Sequence, residues 1–488
     1  MKRIFIQVLA VLVISNISIA QNDEFSEELF EGYSEFKEKE ITKRRIKHKD
    51  VISLLEKLMS DEDIKFQKVG ESIKGRSLNL ISLGTGKTDV FLWSQMHGDE
   101  STATMAIFDI LNFFKSDEFE DEKRIMLKEL KIHFLPMLNP DGAEKFTRRN
   151  ALGIDVNRDA LRLQSPEAKT LKRIRDSLDA DFGFNLHDQS KYYNAERTEK
   201  PATISFLAPA YNYEKEINEV RGNAMKIIVG MNKVLQKYAP GQVGRYNDDF
   251  EPRAFGDNIQ KWGTSTILIE SGGYPNDPEK QEIRKLNFVS ILAALNAIAT
   301  ESYKNEEISE YENIPNNDRM LFDLKLTGLH YEMDGEDFVL DIGINRSETD
   351  LEGNSDFYYS GRIADQGDLS TSYGYEEVDA SGLKLEMGEI YPETINSKRE
   401  LDDLDPVNLL KEGYAYLHVS SEMMDKKHSN YPLNMVSEDF TLEKDLQPGT
   451  GANFFLYKDG EVKYAIINGF LSNLEEPHED IKNTIIYN

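Results

Sequence analysis

A histidine and a carboxylate three residues apart, His97-Gly98-Asp99-Glu100, stand where the apolar run Val90 to Met96 gives way to an amphipathic one. Placed across a strand-to-helix turn, an imidazole and a carboxylate can converge on one ion. They then supply two of the three protein ligands of a catalytic zinc and leave a position for water. His187 is the candidate third ligand, because Phe182-Gly183-Phe184-Asn185-Leu186 before it reads as a buried strand ending at that residue. Ligands at the carboxyl ends of neighbouring strands meet in the crevice where open α/β sheets bind substrates. His133, held between Ile132 and Phe134 inside a strand, reads as structural, and His48, His330, His418, His428 and His478 have no comparable setting.

Water on such an ion needs a base. Ile267-Leu268-Ile269-Glu270-Ser271-Gly272-Gly273 puts a carboxylate at the mouth of an apolar strand, where partial burial favours a raised pKa. Asn139-Pro140-Asp141-Gly142 ends another strand and leads into Thr147-Arg148-Arg149-Asn150 and Asp155-Val156-Asn157-Arg158-Asp159. Arginines beside a cleft suit a peptide's terminal carboxylate and can also offset an oxyanion. Taken singly, each feature is matched by a plain alternative: an acid at a strand end, or a basic surface loop.

The elements that must hold these residues are legible. Between Ile81 and Glu270, short apolar strands (Val90 to Met96, Lys131 to Leu138, Phe182 to Leu186, Ser265 to Ile269) alternate with amphipathic helices. That is the pattern of an α/β fold with a mixed central sheet flanked by helices. Ile107, Ile110, Leu111 and Phe114 repeat at helical spacing, as do Phe288, Ile291, Leu292 and Leu295. Ser165-Pro166-Glu167 and Asp277-Pro278-Glu279 read as helix starts. Beyond an acidic linker at 307–318, Phe338, Leu340, Ile342 and Ile344 alternate with their neighbours. Phe454 to Tyr457 and Val462 to Ile467 flank a turn, so 319–488 reads as a smaller, mainly β accessory domain after a catalytic domain at 21–306.

Whole-chain properties narrow the function classes. Lys2 and Arg3, the apolar run Ile4 to Ile14, and Ser18-Ile19-Ala20 match a cleaved secretory signal at 1–20, which predicts a periplasmic or secreted protein without a membrane span after cleavage. There is no cysteine, so the exported fold relies on packed cores rather than disulfides. A formal net charge of −29 argues against nucleic-acid or anionic-lipid partners, which need basic surface.

In order, Gly75-Arg76-Ser77, His97-Gly98-Asp99-Glu100, Asn139-Pro140-Asp141-Gly142, Asp155-Val156-Asn157-Arg158, His187 and Ile269-Glu270 resemble the zinc metallocarboxypeptidase family, that of carboxypeptidase A, over roughly residues 40 to 302. The resemblance implies one zinc ion on His97, Glu100 and His187, and Glu270 as general base and then proton donor. It implies a carboxylate clamp of Asn157 and Arg158 for a peptide substrate. An arginine that polarises the scissile carbonyl is also implied; Arg149 is preferred because Asn150 follows it, and the adjacent Arg148 is left to substrate binding. Tyr246 lies about where the family's mobile active-site tyrosine would fall, although the segment before Glu270 is shortened. The expectation is release of C-terminal residues from peptides. Competing readings are hydrolysis of γ-D-glutamyl-diaminopimelate cell-wall peptides, an N-acyl amino-acid deacylase, and a binding protein that kept the fold and lost turnover. The partner of the β domain is not specified by the sequence.

Overall fold

The computed structural model describes residues 24–59, 63–442, 445–475 and 484–487. The expected leader lies outside them. The chain forms two compact units that meet between Arg319 and Met320.

The first unit is built on an eight-stranded sheet: β1 (Lys65–Glu71), β2 (Ser77–Leu83), β3 (Thr88–Ser94), β4 (Leu130–Leu135), β5 (Phe182–Asp188), β6 (Ile204–Leu207), β7 (Val243–Arg245) and β8 (Ser265–Ser271). Their order is β1-β2-β4-β3-β5-β8-β6-β7. The four central strands are parallel, whereas β1 and β2 at one edge and the β8–β6 pair introduce antiparallel neighbours. Parallel strands are covered on both faces and so carry continuous apolar runs. Val90, Phe91, Leu92 and Trp93 are accordingly all fully buried.

Side chains alternate between two helical layers. Val90, Leu92, Phe184 and Ile267 pack with α1 (His48–Leu58), α2 (Thr102–Lys115), α4 (Glu219–Tyr238) and α6 (Gln281–Ala299). Phe91, Trp93 and Leu135 pack with α3 (Pro166–Leu178) and α5 (Phe255–Lys261). At the start of α3 the Ser165 hydroxyl accepts from the Ala168 N–H, with Pro166 in the first turn, as its sequence predicts. The start marked by Asp277-Pro278-Glu279 is displaced. Helix α6 begins at Gln281 after Lys280 at φ 52°, yet Asp277 still caps it, accepting from the N–H groups of Gln281 and Glu282 at 2.7 and 2.9 Å. The stretch expected as a linker forms a 3-10 turn at Ile308–Asn313, and its Asn317–Asp318 pairs with Asn194–Ala195 inside the first unit.

The second unit is smaller and β-rich. A long hairpin, Leu321–Met333 with Glu336–Asp350, turns at Asp334-Gly335, both at positive φ as a tight two-residue hairpin turn requires. Only the outer end of the predicted alternation is exposed: Phe338 stands in solvent, while Ile342 and Ile344 are buried. The hairpin predicted around Lys458-Asp459-Gly460 forms between Phe454–Lys458 and Glu461–Ile467. A second sheet of five strands contains parallel pairs, Tyr414–Val419 against Asn434–Val436 among them, with short helices at Lys398–Asp402 and Pro406–Lys411.

Candidate metal centre and substrate cleft

Strand β3 ends at Ser94, and the chain turns through Gln95, at φ 52°, into His97 and Gly98 before α2 begins. The Glu100 N–H bonds back to the His97 carbonyl at 3.2 Å, which folds the carboxylate beside the imidazole. Gly98 is required by space, because a Cβ there would stand 2.0 Å from the Gly142 carbonyl carbon. The neighbouring turn is fixed in its own right. Asn139 accepts from the Gly142 N–H at 2.9 Å, and the buried Asp141 carboxylate takes bonds from Ser72, the Lys74 N–H and Arg76, the last at 2.7 Å. The Gly75-Arg76-Ser77 and Asn139-Pro140-Asp141-Gly142 segments therefore brace the ligand turn from behind.

His187 reaches the same point from β5. Its Nδ1 lies 3.2 Å from the His97 Nδ1 and 2.7 Å from one Glu100 oxygen, and the His97 Nδ1 lies 2.7 Å from the other. Two ring nitrogens facing each other suit one cation between them. Tetrahedral zinc with bonds of ~2.0–2.1 Å wants its nitrogen ligands about 3.4 Å apart, so the donor set fits zinc in type and spacing. All three side chains are buried or nearly so. Protonation points the same way. Burial disfavours a charged His97, but Glu100 and Asp155 outweigh it and hold the imidazole up at about 9. Burial opposes ionisation of Glu100, and the two histidines overcome it, holding the acid well below its usual range. Burial instead lowers the pKa of His187 and favours the neutral imidazole, the form that can ligate a metal.

The His97 Nε2 faces the Asp155 carboxylate at 3.2 Å. Asp155 also accepts from Arg148 and caps the Asn157 N–H, each at 3.0 Å. A carboxylate behind a ligand histidine fixes its tautomer and raises its basicity. Asp155→Asn is therefore expected to weaken zinc binding by about 10- to 100-fold in a chelator competition titration. Asp155 was visible in the sequence only as part of a motif, without a role.

Glu270 lies beside His187, because the two are register partners across the parallel β5–β8 pair. It is 7% exposed, and burial, reinforced by the charge of Glu100, raises its pKa well above the usual range. One cavity of about 150 Å³ contacts the trio, Glu270, Arg148, Asn157, Arg158 and Tyr246. Strand β6 bonds the Tyr246 N–H through the Phe206 carbonyl, which brings the phenol to the cleft, where burial and then Glu270 raise its pKa. Asn157 is anchored through its Oδ1 by the Phe255 N–H, and Arg158 lies 3.4 Å from Glu251.

The adjacent arginines diverge. The Arg148 guanidinium sits 3.1 Å from the His97 Nδ1 and 3.4 Å from Glu100. Arg149 turns the other way, donating to the Gly153 carbonyl and lining a separate cavity with Arg158 and Arg253. The position beside the ligands thus belongs to Arg148, in contrast to the preference for Arg149 drawn from Asn150. His133 lies apart, bonded to Ser82 and Asp89 at 2.7 and 3.0 Å.

The zinc carboxypeptidase family model matches residues 51–239, a stretch that holds all three candidate ligands and stops before Glu270. An uncharacterised protein of Zymomonas mobilis is 25% identical over 145 residues, 29% of this chain and 37% of that protein. Carboxypeptidase SOL1 of Arabidopsis thaliana is 28% identical over 195 residues, 32% of this chain and 39% of that one. The chain thus spans well under half the length of these curated relatives. A metallo-carboxypeptidase from Burkholderia cenocepacia superposes with a TM-score of 0.43 at 18% identity, covering 52% of this chain and 69% of that one.

Proposed function

We propose that this chain is an exported zinc carboxypeptidase that releases C-terminal residues from peptides. The reading is carried by one observation: the His97, Glu100 and His187 donors, the buried Glu270 carboxylate and the Asn157–Arg158 pair all border the same cavity. Residues 51–239 match the family, and the ligand set within them supports zinc as the one ion. No helix among the described residues is long and apolar enough to cross a membrane.

Zinc on this site supplies a Lewis acid and lowers the pKa of water toward about 7. The chain's own groups do the rest. Arg158 and the Asn157 amide bind the substrate's terminal carboxylate, which sets the last peptide bond over Glu270. The Glu270 carboxylate takes a proton from the attacking water and returns it to the leaving amine nitrogen. The Arg148 N–H groups offset negative charge as it grows on the carbonyl oxygen. The Tyr246 phenol, held neutral, donates a hydrogen bond at the cleft mouth.

Mass spectrometry of peptide digests with zinc-loaded protein tests this. Stepwise C-terminal shortening is expected. Hydrogen bonds to a charged group contribute about 1.5–3 kcal/mol, so C-terminally amidated peptides should be cut roughly 10- to 100-fold more slowly. Equal cleavage of amidated peptides would remove the clamp from the account. Turnover of purified muropeptides alone would favour the cell-wall substrate.

A further inference from the structure

The row of the sheet that carries His187 and Glu270 does not end there. Glu270 on β8 is the register partner of Ser205 on β6, and Ser205 that of Gly244 on β7. Register partners share a face, so Ser205 stands beside Glu270. The far end of the row is covered by Asn317, from the segment that leads out of the first unit toward Met320. The Ser205 hydroxyl donates to the Asn317 Oδ1 at 2.8 Å, and the Asn317 amide donates to the Gln189 Oε1 at 2.7 Å. Gln189 closes the ring by donating to the Ser205 hydroxyl at 2.8 Å. Position 244 is glycine by necessity, because a Cβ there would stand 2.1 Å from the Asn317 Oδ1.

The same segment grips Tyr246 from two sides. On one side the Arg245 N–H donates to the Pro315 carbonyl at 2.7 Å, and the Arg245 guanidinium donates to the Asn316 Oδ1 at 3.1 and 3.2 Å and to Glu312. Tyr246 follows directly in the chain. On the other side Asn317–Asp318 pairs with Asn194–Ala195, and the ring of the neighbouring Tyr193 meets the Tyr246 ring edge-on, with centroids 6.3 Å apart. A flexible connection between two units requires none of these contacts.

We infer that residues 315–318 belong to the scaffold of the cleft and that Asn317 is a positioning residue, fixing where the Tyr246 phenol stands. The inference rests on the carboxypeptidase reading above for the part that Tyr246 takes in turnover. Asn317 is not among the residues that border the metal cavity, so it acts through others. Loss of its side chain opens the ring with Ser205 and Gln189 and loosens the pairing beside it. Arg245 and Tyr193, the two supports of Tyr246, are then released together. Misplacing a group that meets the substrate by about 1 Å can cost up to about 10²-fold in rate, and here the loss is bounded by what the phenol contributes.

The test is a double-mutant cycle on kcat/KM of the zinc-loaded full chain, with C-terminal release from a peptide as the reaction. Tyr246→Phe and Asn317→Ala should each lower kcat/KM by about 3- to 10-fold, the worth of one neutral hydrogen bond, and the double variant should lose no more than the worse single one. Losses that multiply overturn the inference, as does an Asn317→Ala variant with an unchanged rate or a Tyr246→Phe variant that loses nothing. Should Asn317→Ala fail to fold, Asn316→Ala at an exposed position serves in its place, with a loss of about threefold that vanishes in the Tyr246→Phe background. Hydrogen exchange reads the anchoring without turnover. Residues 193–195 and 243–246 should exchange at least about tenfold faster in Asn317→Ala, with zinc content unchanged, and unaltered protection there overturns the inference. If the wild type cuts no peptide, the carboxypeptidase reading fails separately, and exchange alone decides whether 315–318 holds Tyr246.

Discussion

Glu270→Gln is expected to keep one zinc per chain and to lose about 10²- to 10⁴-fold in kcat, with KM little changed. The substitution preserves shape in a site that is 7% exposed, and it removes only the ability to accept a proton. Glu270 is not one of the converging donors, which belong to His97, Glu100 and His187. His187→Ala should do the opposite. It deletes the donor that faces both other ligands, at 3.2 and 2.7 Å, and leaves two protein groups where a catalytic zinc needs three. Metal analysis after dialysis should find about one zinc in wild type and in Glu270→Gln, and far less than one in His187→Ala. Adding zinc back to chelated protein should restore wild-type turnover and leave both variants far below it. Retention of stoichiometric zinc by His187→Ala would remove it from the ligand set.

His97, His187 and Glu270 were legible as candidates because each follows an apolar run, and Glu100 because it stands three residues after His97; a polar residue at the carboxyl end of a buried parallel strand has few structural reasons to be there. The helical layers were legible from their spacing. What the sequence could not carry is whatever depends on direction. Arg148 and Arg149 are equivalent in composition and neighbours in order. They separate by their partners: Arg148 turns to Asp155 and Glu100, while Arg149 bonds across its own loop to Gly153. Sheet order was equally hidden. Nothing in Ile204–Leu207 announces that it lies antiparallel to β8, and that pairing puts Leu207 beside Leu268 and delivers Tyr246 to the cleft.

Asp109→Ala should destabilise the first unit by about 3–5 kcal/mol without touching the metal site. Arg284 is fully buried in the middle of the α2–α6 contact, and its Nε donates to Asp109 at 2.7 Å while an Nη donates to the other carboxylate oxygen at 2.5 Å. The remaining guanidinium donors reach the Ile41 and Glu38 carbonyls and the Gln281 amide. Asp109 in turn accepts from the Tyr33 hydroxyl at 2.9 Å and the Glu38 N–H at 2.7 Å. One ion pair therefore ties the segment before α1 to two helices that cover the sheet. Truncating Asp109 strands a guanidinium in an apolar core together with two unpaired donors, which is the costly way to break a buried pair. Replacing both partners, Asp109→Leu with Arg284→Met, removes the charges together and should recover the part of the loss due to the stranded guanidinium, while the Tyr33 hydroxyl and the Glu38 N–H stay unpaired. Urea unfolding of the single and double variants measures the difference, and hydrogen exchange should show residues 29–41 opening first in Asp109→Ala. If the double variant is no more stable than the single one, the pair acts through packing rather than through charge compensation, and the account of what anchors this segment changes accordingly.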